Sequence, residues 1–502
     1  MASIRKWSVI VFFIIGSVVQ GSAQDALLKK QLSLKFTSIT IRGLLDTLAV
    51  RLGAGLSYDA DALPLDSVVS VNWADVELKT SLYGVLGREN VEISSLPGQI
   101  VISRHCAAVP RPFTKPVRIT GKVVDAEDGQ PLPSVSIGVE NAPIGTMTNA
   151  EGEFEFLVPR DLGDRIGESS IFFSMIGYAR EKVSIPLSDT TLVVPMDPTH
   201  VRLPEVQVMP VSADLLIAKV VEMRDRNYLQ SSVALTGFFR ESVKQDDRFV
   251  QVSEAVIEVY KPPYAESFNM ERVRFVKGRK NEDVEQMDLI QFRLQGGPFY
   301  FSRLDIMRYL DFFPDKQSVP VYKYIYLNAE WVDNRTFFRI AFMPINDNGD
   351  LLYNGEFLID AQTYAVVSVW FEMTKQTLKE SRKYLIKKDS RDFKAKPYFA
   401  KYIVTYRPFK DRWILNSVRG DIKIKVGDRK NKVDADFEAT TEMLISDLRP
   451  IDGERLRYAE SFRPDYVLAE QLTGADPDFW KDFNVIKPDE ELERVFKKPL
   501  GE

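Results

Sequence analysis

The chain has 502 residues, 45% of them hydrophobic, enough for two or three domains with buried cores and incompatible with a disordered protein. With 66 Lys and Arg against 71 Asp and Glu the net charge is -5, which removes the broad basic field that nucleic-acid binding requires. A single cysteine, Cys106, excludes an internal disulfide, so stability has to come from packing.

At the N-terminus, Arg5 and Lys6 precede an apolar run from Val9 to Ile15, and Gly21-Ser-Ala23 places small residues before Gln24. This pattern predicts a signal peptide over 1–23, cleaved between Ala23 and Gln24. The run is short for a membrane span and no cysteine follows to accept a lipid, which favours cleavage over an uncleaved inner-membrane anchor. An exported protein in the periplasm, or at the periplasmic face of the outer membrane, is expected.

Residues 24–104 read as a small α+β domain in the order strand, helix, strand, strand, helix, hairpin. Leu32 to Phe36 alternates, Ile41, Leu44, Leu45, Leu48 and Leu52 keep helical spacing, and Gly53 and Gly55 close that helix. Val68 to Trp73 is a strand, Leu78, Leu82, Val85 and Leu86 mark the second helix, and Val91–Ile93 with Gln99–Ser103 form the hairpin. In Leu32–Phe36, Ile41–Leu45, Leu56–Tyr58 and Gln99–Ser103 the stretch resembles the short N-terminal domain of secretins and TonB-dependent receptors. The resemblance implies a periplasmic module that docks on an inner-membrane regulator; a spacer without a partner is the alternative.

His105 to Pro116 carries three prolines and no periodicity, so it reads as a linker. His105 beside Cys106 invites a metal hypothesis, but His200 is the only other histidine, and two linker residues are the simpler account.

Residues 117–197 read as a β-sandwich of short antiparallel strands. Val135, Ile137 and Val139 share one face, and after the turn Asn149-Ala-Glu-Gly152 so do Phe154 and Phe156. Thr120 to Asp125, Gly129 to Pro133, Gly145 to Phe154 and Phe173 to Tyr178 are similar to the carboxypeptidase regulatory-like domain of Bacteroidetes envelope proteins. That family implies a non-catalytic sandwich of the kind found in front of outer-membrane receptors.

A second Pro-bearing connector leads to an amphipathic helix at Ala213–Met223, which opens a large antiparallel β domain over 211–448. Long alternating segments such as Gly237–Ser242, Ala255–Tyr260, Trp331–Phe342 and Arg412–Val418 build it, and Lys375–Leu385 is a further helix. Two helices are few covers for such a sheet, so an apolar cleft is expected beneath them. Leu358–Val369 resembles the hairpin of lipoprotein-carrier-type periplasmic proteins, and Ala255–Tyr264 resembles the region after the regulatory-like domain in outer-membrane proteins that end in a barrel. Residues 449–502 read as a polar C-terminal tail, from which no barrel is built.

Phosphate loops, His-Glu-x-x-His, Gly-x-Ser-x-Gly and cysteine pairs are missing from the sequence. Asp347, Asp350 and Asp360 could pair as a glycosidase acid and base. Asn346, Asn348 and Asp350 take the first, third and fifth places of a calcium loop, but Leu351 and Phe357 stand where Gly and Glu belong, so a polar turn is the better reading. Phe299, Tyr300, Phe301, Tyr322, Tyr324 and Tyr326 are the candidate ligand or partner surface, although alternation sends about half such rings into a core.

The expectation is a mostly β multidomain chain: a small α+β domain, a β-sandwich, then a large antiparallel sheet with a few helices. Its function is expected to be non-enzymatic binding or docking in the cell envelope, with a protein partner, no cofactor or metal and no nucleic acid. A periplasmic carrier or sensor of an apolar ligand, and a polysaccharide-active enzyme using paired carboxylates, are the alternatives.

Overall fold

The computed structural model describes residues 28–58, 63–87, 91–96, 99–104, 116–140, 142–159, 170–186, 188–199, 212–266, 270–282, 297–314, 319–332, 335–346, 351–386, 394–428, 433–451, 456–472 and 482–497. The predicted cleavage site at Ala23 and Gln24, and His105, Cys106, His200, Asp347 and Asp350, lie outside the described residues. Two compact units result, Met1–Phe113 and Thr114–Glu502.

The first unit follows the predicted order. Strand β1 (Gln31–Thr40), a helix (Ile41–Leu52), β2 (Gly55–Tyr58), β3 (Val68–Glu77), a helix (Leu78–Leu86), β4 (Val91–Leu96) and β5 (Gln99–Arg104) succeed one another. Thr40 caps the first helix, its hydroxyl accepting the Gly43 N–H at 3.1 Å, and Gly53 ends it at φ 59°, where a side chain would strain. Ile41, Leu44, Leu45 and Leu48 bury with Leu34, Val71, Ile93 and Ile102 in one core.

The second unit opens with the sandwich: β6 (Val117–Asp125), β7 (Ser136–Val139), β8 (Gly145–Met147), β9 (Glu153–Val158), β10 (Ser170–Ser174), β11 (Glu181–Ser184) and β12 (Thr190–Met196). Its sheets run β11-β10-β7-β8 and β12-β6-β9. Phe154 and Phe156 point inward as their alternation requires, Phe154 edge-on to Phe173 at 5.5 Å. One pairing departs from the antiparallel expectation: β12 runs parallel to β6, Thr190 opposite Ile119 and Met196 opposite Asp125. Because the chain leaves β11 in one sheet and enters β12 in the other, no hairpin forces the direction to reverse.

The large domain is one ten-stranded antiparallel sheet, as its period-two pattern predicts. Its strands are β13 (Val233–Gln245), β14 (Arg248–Lys261), β15 (Arg272–Glu282), β16 (Tyr322–Val332), β17 (Arg335–Pro344), β18 (Tyr353–Asp360), β19 (Val366–Met373), β20 (Lys394–Phe409), β21 (Arg412–Asp428) and β22 (Val433–Pro450). The order is β15-β14-β13-β22-β21-β20-β19-β18-β17-β16. Since β15 and β16 stand at opposite edges, the segment joining them has to cross a face.

That crossover closes the face where the sequence suggests a cleft. Helices Ala213–Asn227, Lys375–Glu380 and Arg382–Leu385 form near the expected places. The crossover adds helices Gly297–Ser302 and Ile306–Tyr309 and buries Phe301, Ile306, Met307, Phe312 and Phe313 in the main core. Phe312 stacks on Phe342 at 4.9 Å, Phe342 on Phe357 at 4.6 Å, and Phe313 lies 5.0 Å from Phe357. Gly420 makes room for Phe301, whose ring carbon would lie 2.8 Å from an added Cβ.

The stretch beyond Leu448 is not a separate polar tail. Ile451 and Leu456 bury with Ala234 and Tyr260, and Phe462, Leu468 and Leu472 join the main core. Val485 and Ile486 pack on Phe238 and Leu444, and Leu492 and Val495 on Val252, on the opposite parity of β13 and β14. Leu492, Val495 and Phe496 do keep helical spacing on the helix Glu490–Lys497, while the other apolar residues here are scattered and are buried by the sheet. Among the described residues no helix is long and apolar enough to cross a membrane.

Candidate functional site

On β14 the inward parity reads Ala255, Ile257, Val259 and then Lys261, a cation carried into an apolar face. Pro262 and Pro263 follow; lacking N–H groups, they end the ladder there. Lys261 is 2% exposed, and Asp305, just ahead of the helix Ile306–Tyr309, is 0% exposed. Lys261 Nζ lies 2.5 Å from Asp305 Oδ2 and 3.3 Å from Glu271 Oε1, and Arg308 Nε lies 2.9 Å from the same Glu271 oxygen. Arg308 also donates to the carbonyls of Pro262 at 3.1 Å and Glu266 at 2.9 Å.

Tyrosine hydroxyls complete the shell. Tyr264 donates to Asp305 Oδ2 at 2.5 Å, Tyr406 to Asp305 Oδ1 at 2.8 Å, and Tyr309 to Glu271. Burial, and then the Asp305 charge, push the Tyr264 and Tyr406 hydroxyls well above the ordinary phenol value, which keeps them protonated and donating. Two buried acids thus meet two buried cations, and both oxygens of each carboxylate accept a hydrogen bond, the condition under which such charges are tolerated. The cluster ties β14, the start of β15 and the crossover together.

Above Glu271 a cleft of about 290 Å³ opens to solvent. Met270, Glu271 and Arg272 form one wall, Phe299, Tyr300 and Arg303 a second, and Tyr458, Ser461, Phe462 and Pro464 a third. Arg272 lies 5.6 Å from the centre of the Tyr458 ring, and Arg303 lies 5.8 Å from that of Phe299 and 5.1 Å from that of Tyr309. Among the described residues no carboxylate closes an ion pair with Arg272 or Arg303. Asp311 feels the Arg303 charge, which opposes the upward push of burial on its carboxyl, without such a pair.

The six aromatic residues expected to form one surface are divided. Phe299 and Tyr300 line the cleft, Tyr300 being 42% exposed. Phe301 turns into the core, edge-on to Phe239 at 5.6 Å. Tyr322 is buried edge-on to Phe342 at 5.5 Å, and burial pushes its hydroxyl up to about 12. Tyr324 donates to the Phe312 carbonyl at 2.8 Å, and Tyr326 lies half-buried 6.2 Å from Phe338. Phe299, Tyr300 and Phe301 sit on the helix Gly297–Ser302, which turns successive side chains in different directions, whereas Tyr322, Tyr324 and Tyr326 share one parity of β16 and all face the core.

Of the three candidate glycosidase carboxylates, Asp360 is described, and it is buried and fully engaged. Its Oδ1 accepts from Thr363 N at 2.8 Å and Thr363 Oγ1 at 2.7 Å, and its Oδ2 from Arg335 at 2.5 Å, so it staples its own turn. Among the described residues no group of three or more His, Cys, Asp and Glu side chains is placed to hold a metal. Lys261, Glu271, Asp305 and Arg308 form no sequence motif and are absent from the sequence-based candidates; a lysine at an apolar parity position is the one signal that points to them.

Residues 119–208 match the model of the CarboxypepD_reg-like domain family. This segment is a CarboxypepD_reg-like domain. No curated protein matches the chain. Among solved structures, it is similar to an outer membrane lipoprotein-sorting protein domain from Vibrio parahaemolyticus at 13% identity and TM-score 0.23, covering 48% of this chain and 95% of that one. A DUF1329 family protein from Desulfovibrio piger gives 12% identity and TM-score 0.22 over 49% of this chain and 95% of that one. A membrane-associated protein of unknown function from Bacteroides fragilis gives 10% identity and TM-score 0.13 over 66% and 98%. At these scores none of the three carries an argument.

The CarboxypepD_reg-like domain is bonded to the sheet through the chain's last segment. Asn484 and Leu157 exchange two hydrogen bonds, Leu157 N to Asn484 Oδ1 at 2.7 Å and Asn484 Nδ2 to Leu157 O at 3.0 Å, so that a side-chain amide continues β9. Buried Thr146 donates to the Val485 carbonyl at 2.8 Å, and Lys487 pairs with Glu153 at 2.5 Å. Met147 joins Phe238, Leu444, Val485 and Ile486 in an apolar seam. From β20, Arg407 donates to the Pro143 carbonyl, and burial pulls its guanidinium down to about 10.

Proposed function

We propose that this chain is a non-enzymatic binding protein of the cell envelope, exported by its leader, whose recognition site is the cleft between Arg272, Arg303 and Tyr458. The CarboxypepD_reg-like domain braces the sheet that carries the cleft, and the N-terminal α+β unit is a docking module of the secretin and TonB-receptor kind. The observation that carries this reading is the cleft's construction. Three segments distant in sequence meet over a floor held by the Lys261, Glu271, Asp305 and Arg308 cluster. A preformed concavity with a few polar groups among aromatic walls is the usual form of a binding site.

Two observations weigh against the alternatives. The buried carboxylates Glu271, Asp305 and Asp360 are already engaged by cations, tyrosines or their own turn. The stacked rings of Phe312, Phe342 and Phe357 fill the space that an acyl chain would need.

A photoreactive phenylalanine analogue at Tyr300 in the full chain, activated in cells of the native host, tests the reading. Cross-links to an envelope component are expected from Tyr300 and not from the exposed position Val193 of the CarboxypepD_reg-like domain. Stoichiometric acyl lipid extracted from the purified protein would replace this reading with the carrier. Polysaccharide hydrolysis lost in Asp347→Asn or Asp350→Asn would replace it with the enzyme.

A further inference from the structure

The recognition site has a charge signature of its own. The four charges of the floor, Lys261, Arg308, Glu271 and Asp305, sum to zero, and the cleft adds the guanidiniums of Arg272 and Arg303. A chain of net charge -5 therefore carries a local positive excess in a hollow with aromatic walls. Each guanidinium lies against a ring, Arg272 against Tyr458 and Arg303 against Phe299 and Tyr309. A ring contact holds a guanidinium in place while leaving donors for an oxygen pair, the geometry in which arginine recognises a carboxylate bidentately.

Resting on the recognition-site reading above, we propose that the cleft binds a small carboxylate carried on a flat or apolar body. Arg272 and Arg303 take the carboxylate oxygens, and Tyr300 and Tyr458 flank the body. A volume of about 290 Å³ stands at the small end of ligand sites, which suits a single terminal residue or a single ring rather than a polymer. The carboxylate enters at the mouth, because Glu271 below is already matched by Lys261 and Arg308.

The test is calorimetric titration of the full-length mature chain with N-acetyl-phenylalanine, its neutral amide and phenyl phosphate. Saturable binding of the carboxylate is expected, weakened at least tenfold in the amide and at least tenfold in each of Arg272→Gln and Arg303→Gln. Both arginines are partly solvent-accessible, so unchanged thermal unfolding of the variants separates lost binding from lost folding. Equal binding of acid and amide, wild-type affinity in both variants, tighter binding of phenyl phosphate or no saturable binding would each overturn the carboxylate. A Tyr300 cross-link obtained alongside such a result would leave the recognition site standing, and loss of both would remove the two together.

Discussion

Lys261 Nζ and Asp305 Oδ2 lie 2.5 Å apart with both side chains sealed from solvent, so the end of β14 and the crossover are held by an ion pair that water does not screen. Removing one partner strands the other. Lys261→Met is expected to cost about 3–5 kcal/mol, read as a lower denaturant midpoint. Lys261→Met with Asp305→Leu should cost less than the sum of the two single changes, and strict additivity would show that the two charges are not coupled.

The crossover joins the helices in closing the sheet's face. Phe312→Ala removes a ring that meets Phe342, Tyr322 and Phe371, and should cost about 3–5 kcal/mol. Binding of a hydrophobic dye to the variant but not to the native chain would register the opened space.

Tyrosines give the stability profile its alkaline limb. Burial raises Tyr322 from 10.0 to about 12, and raises Tyr264 and Tyr406 well above the ordinary phenol value. A raised folded value means that the unfolded chain releases these protons first. Their contribution is complete below about pH 10 and declines as pH climbs from there toward 12. Denaturant midpoints should therefore fall above about pH 10, and Tyr406→Phe should flatten that fall; a midpoint level to pH 11 would contradict the assignment.

Asn484 stands in for a strand beside β9. Asn484→Ala leaves the Leu157 N–H and carbonyl without their partner and should cost about 1–3 kcal/mol. Limited proteolysis near residue 484 should speed up in the variant while the CarboxypepD_reg-like domain itself stays intact.

Cleavage between Ala23 and Gln24 is expected from the charged start, apolar run and small residues that precede it. N-terminal sequencing of protein from envelope fractions checks this, and an intact Met1 or Ala2 would refute it.

What the sequence determined by itself was local. Period-two alternation marked Val233 to Leu448 as one antiparallel sheet, and helical spacing closed by Gly53 and Gly55 marked the first helix. Turn chemistry marked the CarboxypepD_reg-like domain: Gly152 sits at φ 72° with the Val123 carbonyl 2.6 Å from where a Cβ would stand, so glycine alone fits. Each of these signals lies within a few residues, where backbone geometry constrains residue choice directly. Only the tertiary structure decided that β12 runs parallel to β6, that β15 and β16 occupy opposite edges, and that the last segment covers both faces of the sheet. The Lys261 to Asp305 pair and the cleft above it belong to the same class. These relationships join segments with no shared periodicity, and they follow from the need to neutralise buried charge and cover apolar faces, a requirement the whole fold meets and no single stretch expresses.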